Sequence, residues 1–425
     1  MSVSTKSDTR ALRRAERRRL VALGVPTLAL ALSVTTVSTY LPVVLQDTAG
    51  STVVIGGIIG VEGLMALFVP VAAGSWSDRL RTRLGGRLPF LLAAAPVMAV
   101  TLALMPLASS LGVVAGVVAL FFAAYFVAYE PYRALYADLF DDEVAGRAQS
   151  GQAVSRGLGT ALALVGGGLL IAAGQPVPFA VGAVVVLLAL GGFALYADRR
   201  GTRGKQGNGE SRTARQAAGR VLTLLRDHGA LRAFLLANSL WEMSLAALKT
   251  FIVLYLTIGL GLGQLEATAA IGVAAPFILA GAATMGRVAD RFGRLRVMRI
   301  GVIAFGIGLL VPGAIGTAWA GAASAPFLSF FGGAVMALPY GLLMPLMPED
   351  EHGMLTGFYS LSRGLGVMLG PLAAGVLIEL LRGVLTATQG YQAMWLVCSA
   401  SMLASLLFLR RLRRREADRR ELRHA

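Results

Sequence analysis

Cysteine, histidine and asparagine are nearly missing from this chain. Of 425 residues, one is cysteine (Cys398), three are histidine (His228, His352, His424) and two are asparagine (Asn208, Asn238). A lone cysteine excludes an intramolecular disulfide, and histidines so scattered suggest no metal site. No Walker-type phosphate loop occurs, which argues against nucleotide hydrolysis as the energy source. No grouping of nucleophile, base and acid suggests an enzyme, and no cofactor is expected. Acidic residues are also few, 23 against 39 basic ones, for a formal charge of +16. That excess alone would suit a nucleic-acid partner, but its placement argues against one.

Apolar residues are abundant, at 56%, and lie in blocks of roughly 20 or more, enough to cross a bilayer as a helix. Twelve blocks start near Leu20, Thr52, Pro89, Leu111, Gln149, Pro176, Leu231, Leu265, Val297, Gly321, Gly353 and Thr386. They are continuous rather than alternating, so the expected fold is an all-α polytopic membrane protein and not a barrel. Arginine and lysine crowd residues 1–19, 79–87, 199–232, 287–299 and the tail from Arg410, whereas the intervening links hold only Arg382. That bias predicts both termini in the cytoplasm of a cell-membrane protein and an even number of spans. The basic start runs directly into the first span, unlike a cleaved signal peptide. The basic tails are expected to meet anionic headgroups of the lipid bilayer.

The pentapeptide Ser-Arg-Gly-Leu-Gly occurs at 155–159 and again at 362–366, each copy nine residues after a glycine (Gly146, Gly353) that follows an acidic triplet. Gly86-Arg87 matches Gly293-Arg294, and Gly74-x-x-x-Asp78-Arg79 matches Gly286-x-x-x-Asp290-Arg291. Pro131-Tyr132 matches Pro339-Tyr340, and residues 141–143 match 349–351. An ordered series at nearly constant offset means a duplicated six-helix unit. The expected organisation is a basic arm (1–19), a first bundle (20–197), a cytoplasmic linker (198–230), a second bundle (231–409) and a basic tail (410–425). Within the linker, an amphipathic stretch near Val221–Leu225 is expected to form an interfacial helix.

Gly-x-x-x-Asp-Arg-x-Gly-Arg at 286–294 resembles the loop signature of the major facilitator superfamily, and the first-half copy is its expanded form. Gly-Ser-Trp-Ser-Asp-Arg (74–79), Gly-Arg-Leu-Pro-Phe (86–90) and Pro-Tyr-Arg-Ala-Leu-Tyr-Ala-Asp (131–138) are similar to the sucrose/proton and glycoside–cation symporter branches. The resemblance implies two pseudo-symmetric bundles that rock about a central site, proton-coupled symport of a sugar or glycoside, and a monomer. Gly74, Asp78, Arg79, Gly86, Arg87, Gly286, Asp290, Arg291, Gly293 and Arg294, with Arg156 and Arg363, are then gating candidates. Specifically, Asp78 is expected to engage the start of the eleventh span and Asp290 the start of the fifth, since a carboxylate stabilises a helix N-terminus.

Duplication also sorts the intramembrane charges. Arg156 and Arg363 occur in both halves and suit the shared scaffold near the inner interface. Glu62, Glu130, Arg133, Glu242 and Lys249 occur in one half only; in the repeat register Glu62 faces Ala274, Glu130 faces Leu338 and Arg133 faces Gly341. An ionised group near the bilayer centre costs roughly 3 kcal/mol or more, so each needs a partner, a proton or water. These five are the candidates for proton coupling, with Glu242 first. Glu130 and Arg133 can share a helix face, whereas Lys249 stands about 10 Å along the helix from Glu242 and needs a partner elsewhere or an anionic substrate. Tyr40, Asn238, Trp241, Tyr255, Tyr340 and Tyr359 are candidate linings for a small-molecule substrate. Two other readings stay open: proton-driven efflux of an amphipathic drug or metabolite, and a non-transporting assembly or pigment-handling factor on the same fold.

Overall fold

The computed structural model describes residues 6–139, 142–199, 214–346 and 355–424. Among these, twelve helices are long and apolar enough to cross a membrane: α1 (Val21–Ala49), α2 (Thr52–Arg79), α3 (Leu88–Leu107), α4 (Leu111–Leu135), α5 (Gly151–Ala173), α6 (Val177–Ala197), α7 (Gly229–Gly259), α8 (Gln264–Phe292), α9 (Arg294–Ile315), α10 (Ala318–Leu346), α11 (Phe358–Leu381) and α12 (Ala393–Leu412). The protein is an all-α, multi-pass membrane protein. The helix of α1 runs back to Lys6 and that of α12 continues to His424, so helical backbone enters both basic terminal segments. A linker helix at Ala214–Asp227 covers the expected amphipathic stretch.

One expected start is wrong. The last span begins at Ala393 and not near Thr386, because the chain first makes a short 3₁₀ turn at Thr386–Thr388. Gln389 and Gly390 then take positive φ angles of 49° and 84°, which a continuous helix cannot hold. The acidic triplets at 141–143 and 349–351, and Gly353, lie wholly or in their side chains outside the described residues.

Helix neighbours repeat between the halves. In the first, α1 packs on α5 and α6, α2 on α4, and α3 on α4 and α6. In the second, α7 packs on α11 and α12, α8 on α10, and α9 on α10 and α12. The two bundles meet along α1–α7, α2–α11 and α5–α8. Buried faces carry Phe121, Phe122, Phe126 and Phe179 in one bundle and Phe234, Phe251, Phe305 and Phe358 in the other. The symmetry is imperfect. Pro131 stays inside a continuous helix, whereas its counterpart Pro339 starts a new short helix at Pro339–Leu343.

The pentapeptide shows why it was written twice. Its second glycine lies against the first helix of its own bundle: Gly159 meets the Leu28 carbonyl of α1, and Gly366 meets the Ser239 carbonyl of α7. Its first glycine faces the other bundle: Gly157 meets Leu279 of α8, and Gly364 meets Leu67 and Gly63 of α2. One short sequence thus holds a bundle together and lets the opposite bundle approach, the use membrane helices make of small residues. The α2–α11 seam extends this approach, with Gly56 against the Pro371 carbonyl and Gly375 against Thr52.

A methyl group at Gly366 would fall on backbone atoms of α7, whereas Gly74 has open space around it. Gly366→Ala is therefore expected to lower the thermal midpoint by several degrees, as overpacking costs about 1–3 kcal/mol. Gly74→Ala is expected to leave it unchanged, and melting in detergent compares the two.

Candidate functional site

Midway along the α2–α11 seam, three charged side chains from three helices converge. Arg363 of α11 donates from Nη2 to Glu62 Oε1 of α2 at 3.1 Å, and its Nε stands 3.6 Å from Glu242 Oε2 of α7. The Ser38 hydroxyl of α1 lies 3.1 Å from the other Glu62 oxygen. The Glu62 side chain is only 3% exposed and that of Glu242 18%, so both carboxylates depend on this arginine for charge compensation. Lys249 lies in the same electrostatic neighbourhood, with Glu62, Arg363 and Glu242 its interacting groups. Arg363 does more than serve a shared scaffold at the inner interface: it ties the first half to the second.

Beside this triad, α4 presents a second group. Tyr125 and Tyr129, one turn apart, stack with centroids 5.3 Å apart and planes 14° from parallel. The Arg133 guanidinium lies 5.5 Å from the Tyr129 ring centroid and that of Arg156, from α5, lies 6.0 Å away, both within cation–π range. The Ser360 hydroxyl of α11 donates to Glu130 at 3.4 Å. The expected Glu130–Arg133 pair does not close to ion-pair distance among the described residues. The carboxylate reaches across to α11 while the guanidinium turns to the tyrosine.

Of the six candidate lining residues, Tyr340 and Tyr359 face each other edge-on at 5.6 Å, and Arg133 interacts electrostatically with both. The other four are packed within a bundle. Tyr40 is fully buried and donates to the Leu164 carbonyl. Asn238 donates to the Ser362 hydroxyl at 2.8 Å, and Trp241 Nε1 donates to Ser405 at 2.7 Å. Tyr255 is fully buried, edge-on to Trp395. Tyr125, Tyr129, Ser38 and Ser360 were missed. Only the four-residue spacing of Tyr125 and Tyr129, ending beside Glu130, could have pointed to them.

The basic loops differ from expectation. Asp78 pairs within its own half: Arg87 Nη1 lies 2.5 Å from Asp78 Oδ1 and also donates to Ser77 Oγ at 2.6 Å. The loop folds back through Gly85 at φ 85° and brings the mostly buried guanidinium to the carboxylate. Asp290 likewise faces Arg294 at 3.4 Å, and Arg294 also donates to the Gly341 carbonyl. The helix starts that Asp78 and Asp290 are expected to engage, before Phe358 and before Gly151, lie wholly or in their side chains outside the described residues. Gly86 approaches the Ser77 and Leu80 carbonyls, Gly293 has φ 92° at the α8–α9 corner, and Gly286 lies in open space. Arg291 leans on the Phe292 ring at 5.4 Å. Arg79 ends α2 beside this loop.

A carboxylate does cross to a helix start in the other half, but at the opposite end of the molecule. Glu379, near the end of α11, accepts from the Thr52 backbone N–H at 3.2 Å, with Ser51 Oγ and Thr52 Oγ1 at 3.3 and 3.2 Å. Thr52 Oγ1 is also 2.7 Å from the Gly375 carbonyl. Charge at this helix N-terminus is favourable, and the contact clasps α2 to α11 at the end away from the basic loops.

The family described as Major Facilitator Superfamily matches residues 27–284 and 273–425. Puromycin resistance protein pur8 of Streptomyces alboniger is 36% identical over 100 residues, 23% of this chain and 19% of that protein. Multidrug resistance protein 3 of Bacillus subtilis (strain 168) is 26% identical over 102 residues, 24% of this chain and 20% of that protein. The chain thus spans about a fifth of the length of these curated relatives. Among solved structures, a bacterial homologue of the human lysosomal transporter Spinster, inward-facing and occupied, aligns with TM-score 0.74 at 11% identity, covering 94% of this chain and 97% of that one. The nucleoside transporter NupG aligns at 0.71 and 14% identity, covering 92% and 98%. Such identities establish a shared fold.

Removing the Glu379 carboxylate leaves the Thr52 backbone N–H and the Ser51 hydroxyl without their acceptor, while the Thr52 hydroxyl keeps the Gly375 carbonyl. Glu379→Ala is expected to raise the labelling rate of a cysteine placed at Ser51 several-fold in the otherwise cysteine-free protein. An unchanged rate would show the clasp to be dispensable.

Proposed function

The chain belongs to the Major Facilitator Superfamily, and on that premise we propose that it is a secondary active transporter. It moves a small organic solute across the cell membrane by alternating access, coupled to protons, with both termini cytoplasmic. The observation that carries the coupling is the placement of Arg363 between two carboxylates, one in each half. With Glu242 ionised, the guanidinium is shared; with Glu242 protonated, its attraction falls to Glu62 alone and the cross-half tie tightens. A proton on one side chain therefore sets how firmly the halves hold together, the property alternating access needs. Lys249, Glu130 and Arg133 complete the electrostatic setting, and Tyr340 and Tyr359 border the solute.

The sucrose and glycoside symporter resemblance supports a sugar as the solute. Against it stands the chemistry of the centre. A sugar site needs many fixed donors and acceptors, yet asparagine is nearly missing from the chain and Asn238 already gives its amide N–H to Ser362. The arginines and tyrosines suit an amphipathic solute better. Export is the second reading, supported by the resistance names of both curated relatives over about a quarter of this chain. In intact cells, sugar-dependent alkalinisation of the medium supports symport, and greater dye retention on deletion supports export.

Glu242→Gln fixes that side chain neutral. In proteoliposomes it is expected to abolish flux driven by a proton gradient while counterflow exchange persists. Gradient-driven flux in the variant would remove Glu242 from the coupling role, and loss of folding would reassign it to structure.

A further inference from the structure

Superposing the two copies of the pentapeptide by their contacts exposes a charge imbalance. Gly366 meets Ser239 and Glu242 of α7, and Gly159 meets Leu28 and Ala31 of α1. Gly364 meets Leu67 of α2, and Gly157 meets Leu279 of α8, a shift of 212 residues that sets Ala274 where α2 has Glu62. The two arginines thus occupy equivalent places with opposite surroundings. Arg363 has Glu62 and Glu242; Arg156 has Ala274 and Ala31.

Arg156 also makes no ion pair or hydrogen bond among the described residues and remains exposed. Its one close contact is the face of Tyr129, which it shares with Arg133, while Glu130 and Glu242 act on it from beyond ion-pair distance. Around that ring stand two guanidiniums and a single carboxylate, Glu130, which is engaged by Ser360. Including the triad and Lys249, the central group holds three carboxylates and four cations. No carboxylate stands within ion-pair distance of Arg156, and a cation inside the bundle is costly unless water or a ligand answers it.

We propose that Arg156 and Arg133 form the recognition site for the negative group of an organic anion, whose aromatic or otherwise planar body lies against Tyr129 and Tyr359. This rests on the transport reading and names its substrate class. Tyr359 belongs to the same electrostatic group as Arg156, Tyr129 and Glu242. The bound anion replaces for Arg156 what Glu62 and Glu242 supply to Arg363, so occupancy makes the two halves electrostatically alike. A neutral solute of the same shape leaves Arg156 unanswered and binds less well.

The test uses the purified full-length protein and a panel of aromatic carboxylates (benzoate, 2-naphthoate, indole-3-acetate), each paired with its primary amide. Thermal stabilisation by ligand reports binding. At least one acid is expected to stabilise the wild type at concentrations tenfold or more below those of its amide. Arg156→Gln is expected to erase that preference, and Arg156→Lys to keep part of it. Ala274→Glu supplies the missing carboxylate in a geometry the other half already tolerates, and should erase the preference in a protein that folds normally. No acid preference in any pair, or a preference unchanged in Arg156→Gln and Ala274→Glu, overturns the proposal. Acid-selective binding lost in these variants supports the site even if no proton gradient drives flux, so the site and the transport reading fail separately.

Discussion

A guanidinium cannot sit deep between apolar helices without negative partners, and this constraint organises the centre of the molecule. Arg363 meets it with one carboxylate from each half, so its charge compensation and the contact between the halves are the same interaction. Losing either partner of a buried pair leaves an unanswered charge, which costs about 3–5 kcal/mol. The glycines around it follow from that need. Gly63, Gly364 and Gly366 bring α2, α7 and α11 close enough for three side chains to meet.

Duplication supplies the frame, and departure from duplication supplies the chemistry. Equivalent helices choose equivalent neighbours in both halves, and the repeated pentapeptide performs the same two contacts each time. Substitutions at a few positions then distinguish the copies: acids at Glu62 and Glu242 against alanines at Ala274 and Ala31. The same scaffold arginine is neutralised on one side and left available on the other. The tyrosines of α4 extend the second environment.

Much of the fold was legible because each of its determinants is local. Apolar blocks mark the spans, and the offset motifs mark the two halves. The end of that legibility is seen at Thr386, where composition ran on apolar but two left-handed residues delayed the helix. At the centre, single-copy charges single out Glu62 and Glu242, and the structure brings both to Arg363, whose repetition points only to the scaffold. Its role depends on partners some 300 and 120 residues away, which spacing cannot reveal. For the same reason the sequence does not show that Asp78 has Arg87, nine residues on, within reach. Tyr40, Asn238 and Trp241 looked like lining residues because polarity inside a span is conspicuous. Tyr40 and Trp241 spend their polar atom on packing contacts, and Asn238 gives its amide N–H to Ser362 while its buried Oδ1 has no partner among the described residues.

Pro371 interrupts α11 eight residues beyond Arg363 and eight before Glu379. Lacking an amide hydrogen, it leaves the ladder of that continuous helix one rung short near its midpoint, the place where an elbow can form. Each forearm is about 12 Å long. A bend of about 15° at the elbow carries the Arg363 end roughly 3 Å sideways, enough to part a guanidinium from a carboxylate, while the Glu379 end stays seated. A single helix can in this way release its grip at mid-depth without letting go at its tip.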